Sequence, residues 1–262
     1  MDQYKIENYL NGILHPESFE DYCHNGIQIE GTRNIKKVAL GVSFNEAFVD
    51  KAAKENADLL LVHHGIFGKD FFTLKGYMKD RVKKVLDIGA TLMGYHLPLD
   101  AHEDYGNNVT IIKKLGLEPV ERIEVGYIAN YSSPVTFEKF FNDLHEVIQN
   151  EQYKVYKNSD TVEKIFVLSG GGSELLEEVE GKVDTFVTGE VKEQIRDIAK
   201  ETSINFINAG HYATETFGVK NLGKFLKKEF DLETVFIHVF NEVQKNKWDS
   251  PPYLLRSFPL LN

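Results

Sequence analysis

The residues best suited to chemistry in this sequence stand at the ends of its apolar runs. Leu59-Leu60-Leu61-Val62 leads directly into His63-His64-Gly65. Such a run reads as a buried parallel strand, with Gly65 turning the chain at its carboxyl end. Open α/β sheets bind ligands at the carboxyl ends of their strands, so both imidazoles stand where such folds keep their chemistry. Successive strand residues point to opposite faces, so the chain must bend at Gly65 if His63 and His64 serve one site. A second run, Ala90 to Tyr95, ends on His96, and a third, Ile204 to Gly210, ends on His211. Four residues after each comes an acid, Asp100 and Glu215, and Glu190 follows the run from Val183 to Thr188. Imidazoles and carboxylates together suit Zn²⁺, Fe²⁺ or Mn²⁺. A carboxylate can bridge two cations, so this set could hold a pair roughly 3.5 to 4 Å apart. The plainer alternative is that one of His63 and His64 is a core residue and the other solvated, since histidine is often structural.

The elements that must position these residues occur twice in order. Lys37 to Ser43 matches Lys164 to Gly170, Ala57 to His64 matches Val183 to Glu190, and Ala90 to His96 matches Ile204 to His211. Strand, helix, strand, polar cluster, helix, strand and His-x-x-x-acid recur, which predicts two interlinked α/β domains arising from an internal duplication. The halves are residues 1–125 and 126–262, with a soft boundary near Gly126 and extra residues in the first copy around Lys69 to Met78. Predicted helices cover Tyr4 to Leu14, Phe44 to Glu55 capped by Ser43, and Asp80 to Ile88. Further helices cover Asn107 to Leu115 closed by Gly116, Thr136 to Asn150 capped by Thr136, Glu174 to Val179, Glu190 to Lys200 and Val219 to Phe230. Val235 to Phe240 reads as a last strand, and the tail from Trp248 to Asn262 has no clear period. His211 and Glu215 suit one face of a helical turn, whereas Asp100 follows Pro98 and is expected on a loop. His102, His145 and His238 read as structural or solvated.

Composition narrows the function classes. The chain has 262 residues, long enough for one large or two modest cores, and a net charge of −10. That charge argues against nucleic-acid binding through a broad basic face. Met1-Asp2-Gln3-Tyr4-Lys5 shows no basic-then-apolar signal, and no run reaches the length of a membrane helix. A single cysteine, Cys23, excludes an internal disulfide and points to the reducing cytoplasm. As a lone thiol it reads as inert packing before it reads as a nucleophile. Gly170-Gly171-Gly172-Ser173 follows a strand and opens a helix, as anion-binding loops do. It lacks the spacing of a nucleotide fingerprint, and a tight strand-to-helix turn accounts for it better.

His63-His64-Gly65, Tyr95-His96-Leu97-Pro98-Leu99-Asp100, Thr188-Gly189-Glu190 and Gly210-His211-Tyr212-Ala213-Thr214-Glu215 resemble the motifs of the Nif-three-like family, whose members are often labelled type-two GTP cyclohydrolase I. The resemblance runs nearly the whole length. It implies two divalent metal ions per chain on His63, His64, Asp100, His211 and Glu215. It also implies a ring-shaped homohexamer with the metal sites facing an internal cavity. Gly126 to Thr161 is too short for the inserted domain some members carry, so this is the compact form.

The reading that follows is a dinuclear metal-dependent hydrolase acting on a nucleotide or related small molecule. Glu190 is the candidate general base or the residue that orients a ligand, and His96 would shuttle a proton or hold Asp100. Lys69, Lys75 and Lys192 lie near the motifs in sequence, without anything to fix them at a site. The alternative is a metal-handling or scaffold protein that forms a ring without catalysis.

Overall fold

The computed structural model describes residues 1–32, 34–68, 74–150 and 152–240, so Lys69 and the tail from Trp248 lie outside the described residues. Its first sheet contains β1 (Gly26–Ile29), β2 (Lys37–Ser43), β3 (Leu59–His64), β4 (Thr91–Gly94) and β11 (Glu233–Phe236), in the order β1-β4-β3-β2-β11. The second contains β5 (Pro119–Ile123), β6 (Gly126–Thr136), β7 (Lys154–Tyr156), β8 (Thr161–Leu168), β9 (Thr185–Thr188) and β10 (Asn205–Asn208), in the order β5-β6-β8-β9-β10-β7. The expected α/β class is what the chain forms. Each sheet holds three successive parallel strands, β2-β3-β4 and β8-β9-β10, with an antiparallel strand beyond the third, β1 and β7. On their other flanks the sheets differ: β11 pairs parallel with β2, whereas β6 pairs antiparallel with β8.

The apolar run of β3 is explained by burial on both faces. Leu59 and Leu61 pack with Ile6 and Leu10 of α1 (Gln3–Leu14) and with Val219, Leu222 and Leu226 of α9 (Thr216–Phe230). Leu60 and Val62 face the opposite way, onto Phe48 and Val49 of α2 (Glu46–Lys54) and Val82 and Val85 of α3 (Gly76–Ile88). The second sheet is covered by α5 (Asn107–Lys114) and α6 (Phe137–Ile148) on one face, and on the other by α7 (Ile195–Glu201) and the 3₁₀ turn Ser173–Val179. Helix α9 joins the two cores, since Phe217 packs in the second and Val219 onward in the first.

Several boundaries differ from expectation for local reasons. Helix α2 is capped by Asn45, whose Oδ1 accepts from the Phe48 N–H at 2.9 Å, because Ser43 is the last residue of β2. Asp100 sits not on a loop but in the short helix α4 (Leu97–Ala101), where Pro98 occupies the first turn that tolerates proline. Helix α7 begins at Ile195 rather than Glu190, and β11 ends at Phe236, leaving His238 past its end. The segment from Glu174 to Val179 is 3₁₀, not α. Strands β5 and β6 have no clear counterpart in the sequence pattern: β6 is buried over Gly126 to Ala129 and then mostly exposed, so it shows no clean alternation.

Thr136 caps α6 as expected, its hydroxyl oxygen accepting from the Lys139 N–H at 3.2 Å. Thr136→Ala should lower stability by about 1 kcal/mol. Urea unfolding checks this, and an unchanged midpoint would show that the cap contributes nothing.

Candidate metal centre

The polar residues singled out in the sequence meet at the carboxyl ends of the parallel strands, between the two sheets. His63 and His64 close β3 with ring centroids 4.6 Å apart. His96 precedes α4, which carries Asp100; His211 opens the short helix α8 (His211–Thr214) and Glu215 separates it from α9. Their ligand atoms fall into three overlapping groups, each within 4.8 Å: His63, Asp100 and Glu215; His64, His211 and Glu215; and His63, His64 and His96.

The orientation of the imidazoles comes from what grips their Nδ1 atoms. His63 Nδ1 donates to the Tyr95 carbonyl at 2.9 Å, and His64 Nδ1 lies 3.1 Å from the Ser43 hydroxyl. His96 Nδ1 pairs with Asp21 Oδ1 at 2.7 Å, and His211 Nδ1 with Glu190 Oε1 at 2.6 Å. Fixing one ring nitrogen sets the tautomer and aims the other. His63 Nε2 lies 3.4 Å from both Asp100 Oδ2 and Glu215 Oε1. His64 Nε2 is 3.1 Å from Glu215 Oε2, and His211 Nε2 is 3.0 Å from Glu215 Oε1. Asp100 is turned in the same way: its Oδ1 accepts from Asn107 Nδ2 and from the Ser169 hydroxyl, each at 2.8 Å, leaving Oδ2 toward the centre.

Burial makes this arrangement electrostatically demanding. His63 is 0 % exposed, Asp100 4 % and Glu215 2 %. Burial alone would depress His63, but Asp100 and Glu215 outweigh it and carry the imidazole up to about 9. His211 reaches about 10 against its own burial, through Glu215 and then Glu190. For His64 burial prevails and the value falls. Burial opposes the charge on Glu215, yet the surrounding histidines hold it well below the usual carboxylate range. Even so, His63 Nε2 and Glu215 Oε2 are buried without a hydrogen bond. Buried polar atoms are nearly always satisfied, and an orphaned nitrogen and an orphaned carboxylate oxygen in one cluster fit a divalent cation.

The glycines act by letting backbone approach. Gly170 has φ +67°, and a Cβ there would lie 2.2 Å from Glu215 Oε1. The triple glycine thus makes the expected tight turn and also brings its backbone against Glu215. Sequence reasoning missed the residues that hold the ligands: Asp21, Ser43, Asn107 and Ser169. Asp21 belongs to a stretch with only a turn signal, and none of the four has a diagnostic spacing. A cleft of about 420 Å³ opens onto the centre, lined by His64, His96, Asp100, His211 and Glu215 and by Tyr22, Phe67 and Leu97. His102, His145 and His238 stay apart, His102 Nδ1 accepting from the backbone of Asp104 and Tyr105 and His238 pairing with the Tyr212 hydroxyl. Lys192 pairs with Glu174 at 3.1 Å, and neither it nor Lys75 lines the cleft.

Fold and site together define a two-sheet α/β protein with a buried histidine–carboxylate cluster suited to divalent metal. The chain belongs to the Duf34/NIF3 (NGG1p interacting factor 3) family, whose profile matches residues 1–246. It is 37 % identical over 244 residues to a protein of Pyrococcus horikoshii named GTP cyclohydrolase 1 type 2 homolog, covering 90 % of this chain and 98 % of that one. A Pasteurella multocida protein of the same name is 34 % identical, covering 92 % and 99 %. Among solved structures, TTHA1606 from Thermus thermophilus superposes with a TM-score of 0.87 at 35 % identity, covering 93 % of this chain and all (100 %) of that one. The protein ybgI, described as of unknown function, gives 0.87 at 30 % identity with the same coverage.

Gly170 and Gly181 provide a matched comparison, since both have positive φ and only Gly170 faces a neighbour. Alanine at either should cost roughly 1–2 kcal/mol for the left-handed backbone. Gly170→Ala should cost more, by the displacement of Glu215. Equal losses in denaturant unfolding would show that Gly170 does not crowd the centre.

Proposed function

We propose that the chain is a metal-dependent hydrolase with a dinuclear centre, acting on a nucleotide or related small molecule. The observation that carries the proposal is the sharing of buried Glu215 by two donor groups, one fully buried and one that opens toward the cleft. Glu215 belongs to both groups, with His63 and Asp100 in one and His64 and His211 in the other, and would be the residue shared by two ions. His96, whose nitrogen completes the third group, extends the donor set beyond the five residues the family resemblance implied. Zinc, iron and manganese all suit such donors. Bound there, a divalent pair supplies Lewis acidity and lowers the pKa of an attacking water.

The chain's own residues do the rest. Asp21 and Glu190 hold His96 and His211 in place by their Nδ1 atoms. Glu190 is the most exposed acid at the centre, its Oε1 paired with His211 Nδ1, and it is the candidate general base. Buried Asn107 and Ser169 keep Asp100 from rotating. The names of the relatives support a nucleotide substrate; for GTP the matching reaction is hydrolytic opening of the imidazole ring at C8 with loss of formate. A cytoplasmic homohexameric ring remains part of the proposal. Among the described residues, no helix is long and apolar enough to cross a membrane.

A closed donor set would equally serve metal storage or delivery, but catalytic sites keep an open position, and here the cleft reaches His64, His96 and His211. Metal analysis of the wild type, His64→Ala and Glu215→Ala, with a parallel screen of nucleotides and phosphoesters, separates the readings. The expected result is about two ions per chain, lost in the variants together with turnover. Two ions without turnover on any substrate would favour metal handling. No ion at any supplied metal would sink the centre itself.

A further inference from the structure

The cleft over the centre has two zones. Its floor is the histidine–carboxylate cluster, and its collar is apolar: Tyr22, Phe67, Leu97, Val125 and Leu168. Tyr22 is 73 % exposed and Phe67 42 %, unusually open for aromatic side chains beside a buried polar site. Phe67 stands edge-on to His96, with centroids 5.1 Å apart at 88°, and lies 5.7 Å from His64. The two aromatic residues are tied to one another. Cys23 and Phe67 form an antiparallel bridge, and the Gly68 N–H donates to the Tyr22 carbonyl at 2.9 Å. The Tyr22 loop is anchored in turn to the centre. Asp21 holds His96 and accepts from the Leu97 N–H at 3.0 Å, while Asn25 Oδ1 accepts from the His96 N–H at 2.8 Å. The loop that orients the His96 imidazole therefore also presents an aromatic ring to the same cleft.

No lysine or arginine lines this cleft among the described residues. The described lining therefore presents no permanently cationic side chain to a phosphate tail, and the volume suits a drug-sized molecule, ligand pockets being roughly 300 to 1,000 Å³. We infer that Tyr22 and Phe67 form a ring-binding subsite, and that the centre takes substrates by an uncharged planar heteroaromatic ring rather than by phosphate. The ring lies against the aromatic collar and turns its polar edge toward His64, His96 and Glu215. Aromatic side chains stack on any such ring without reading its hydrogen-bonding edge. Specificity among rings would then come from the floor. This inference rests on the hydrolase reading given above and names the part of the substrate that the protein itself grips.

The test is calorimetric titration of the full chain, reconstituted with Mn²⁺, with three probes: inosine, GTP and inorganic triphosphate. Metal content is measured on every sample. Inosine should bind the wild type. Tyr22→Ala and Phe67→Ala should each weaken inosine and GTP by at least roughly fivefold, with metal content unchanged. Phe67→Tyr and Tyr22→Phe should restore the affinity, and inorganic triphosphate should not distinguish any of these proteins. Inosine failing to bind a fully loaded wild type, or binding the alanine variants as tightly, would overturn the subsite. A wild type that takes up no metal yet binds inosine through Tyr22 and Phe67 would keep the subsite and overturn the dinuclear reading instead.

Discussion

The structure turns on one buried carboxylate, Glu215, surrounded by His63, His64 and His211. A charge taken out of water is costly unless it is paired, and an isolated one would be neutralised or hydrated. Here the pairing partners come from both sheets: His63 and His64 from the end of β3, and His211 from the segment after β10. Glu215 immediately precedes α9, the helix shared by the two cores. The polar centre is therefore also a seam between the halves. Other bonds follow the same line: Ser169, after β8, donates to Asp100 in α4, and Asn107 accepts from the Gly218 N–H at 2.7 Å. In a low-dielectric interior such a network must be satisfied throughout to be favourable, which explains why so many residues around it have fixed partners.

The four Nδ1 partners are chemically unequal. His63 and His64 are held by a carbonyl and a hydroxyl, while His96 and His211 are held by carboxylates. A carboxylate partner makes an imidazole a stronger donor than a neutral one does. His96 and His211 line the cleft together with His64, and His63 is fully enclosed.

The sequence disclosed the chemistry better than the scaffolding. His63, His64, His96, Asp100, His211 and Glu215 were legible because their side chains are rare at strand ends and recur at matched positions in two similar stretches. The parallel strands were legible from their apolar runs, and Thr136 and Gly116 from cap chemistry. Asp21, Ser43, Asn107 and Ser169 were not legible, because an ordinary polar residue acquires its role only when distant chain is brought against it; Asp21 meets His96 across 75 positions. Ser43 had a plausible role as a helix cap, and the fold gave that role to Asn45. Pro98 as a breaker puts Asp100 on a loop, yet at the first turn proline is compatible with a helix. The repeat of three parallel strands with an antiparallel neighbour matches what a duplication would leave, although their outer flanks are completed differently.

The strand β11 has a consequence for how the chain reaches this state. It lies beside β2, so residues near position 235 complete a sheet whose other strands are all formed by position 94. Helix α9, which covers the same sheet, arrives equally late. During synthesis the first sheet would stay without its flank and part of its cover while the second half is made, displaying an open parallel edge. Long-range pairings of this kind slow folding and leave edges prone to misassembly. The first sheet would therefore be complete only once nearly all of the second had been made.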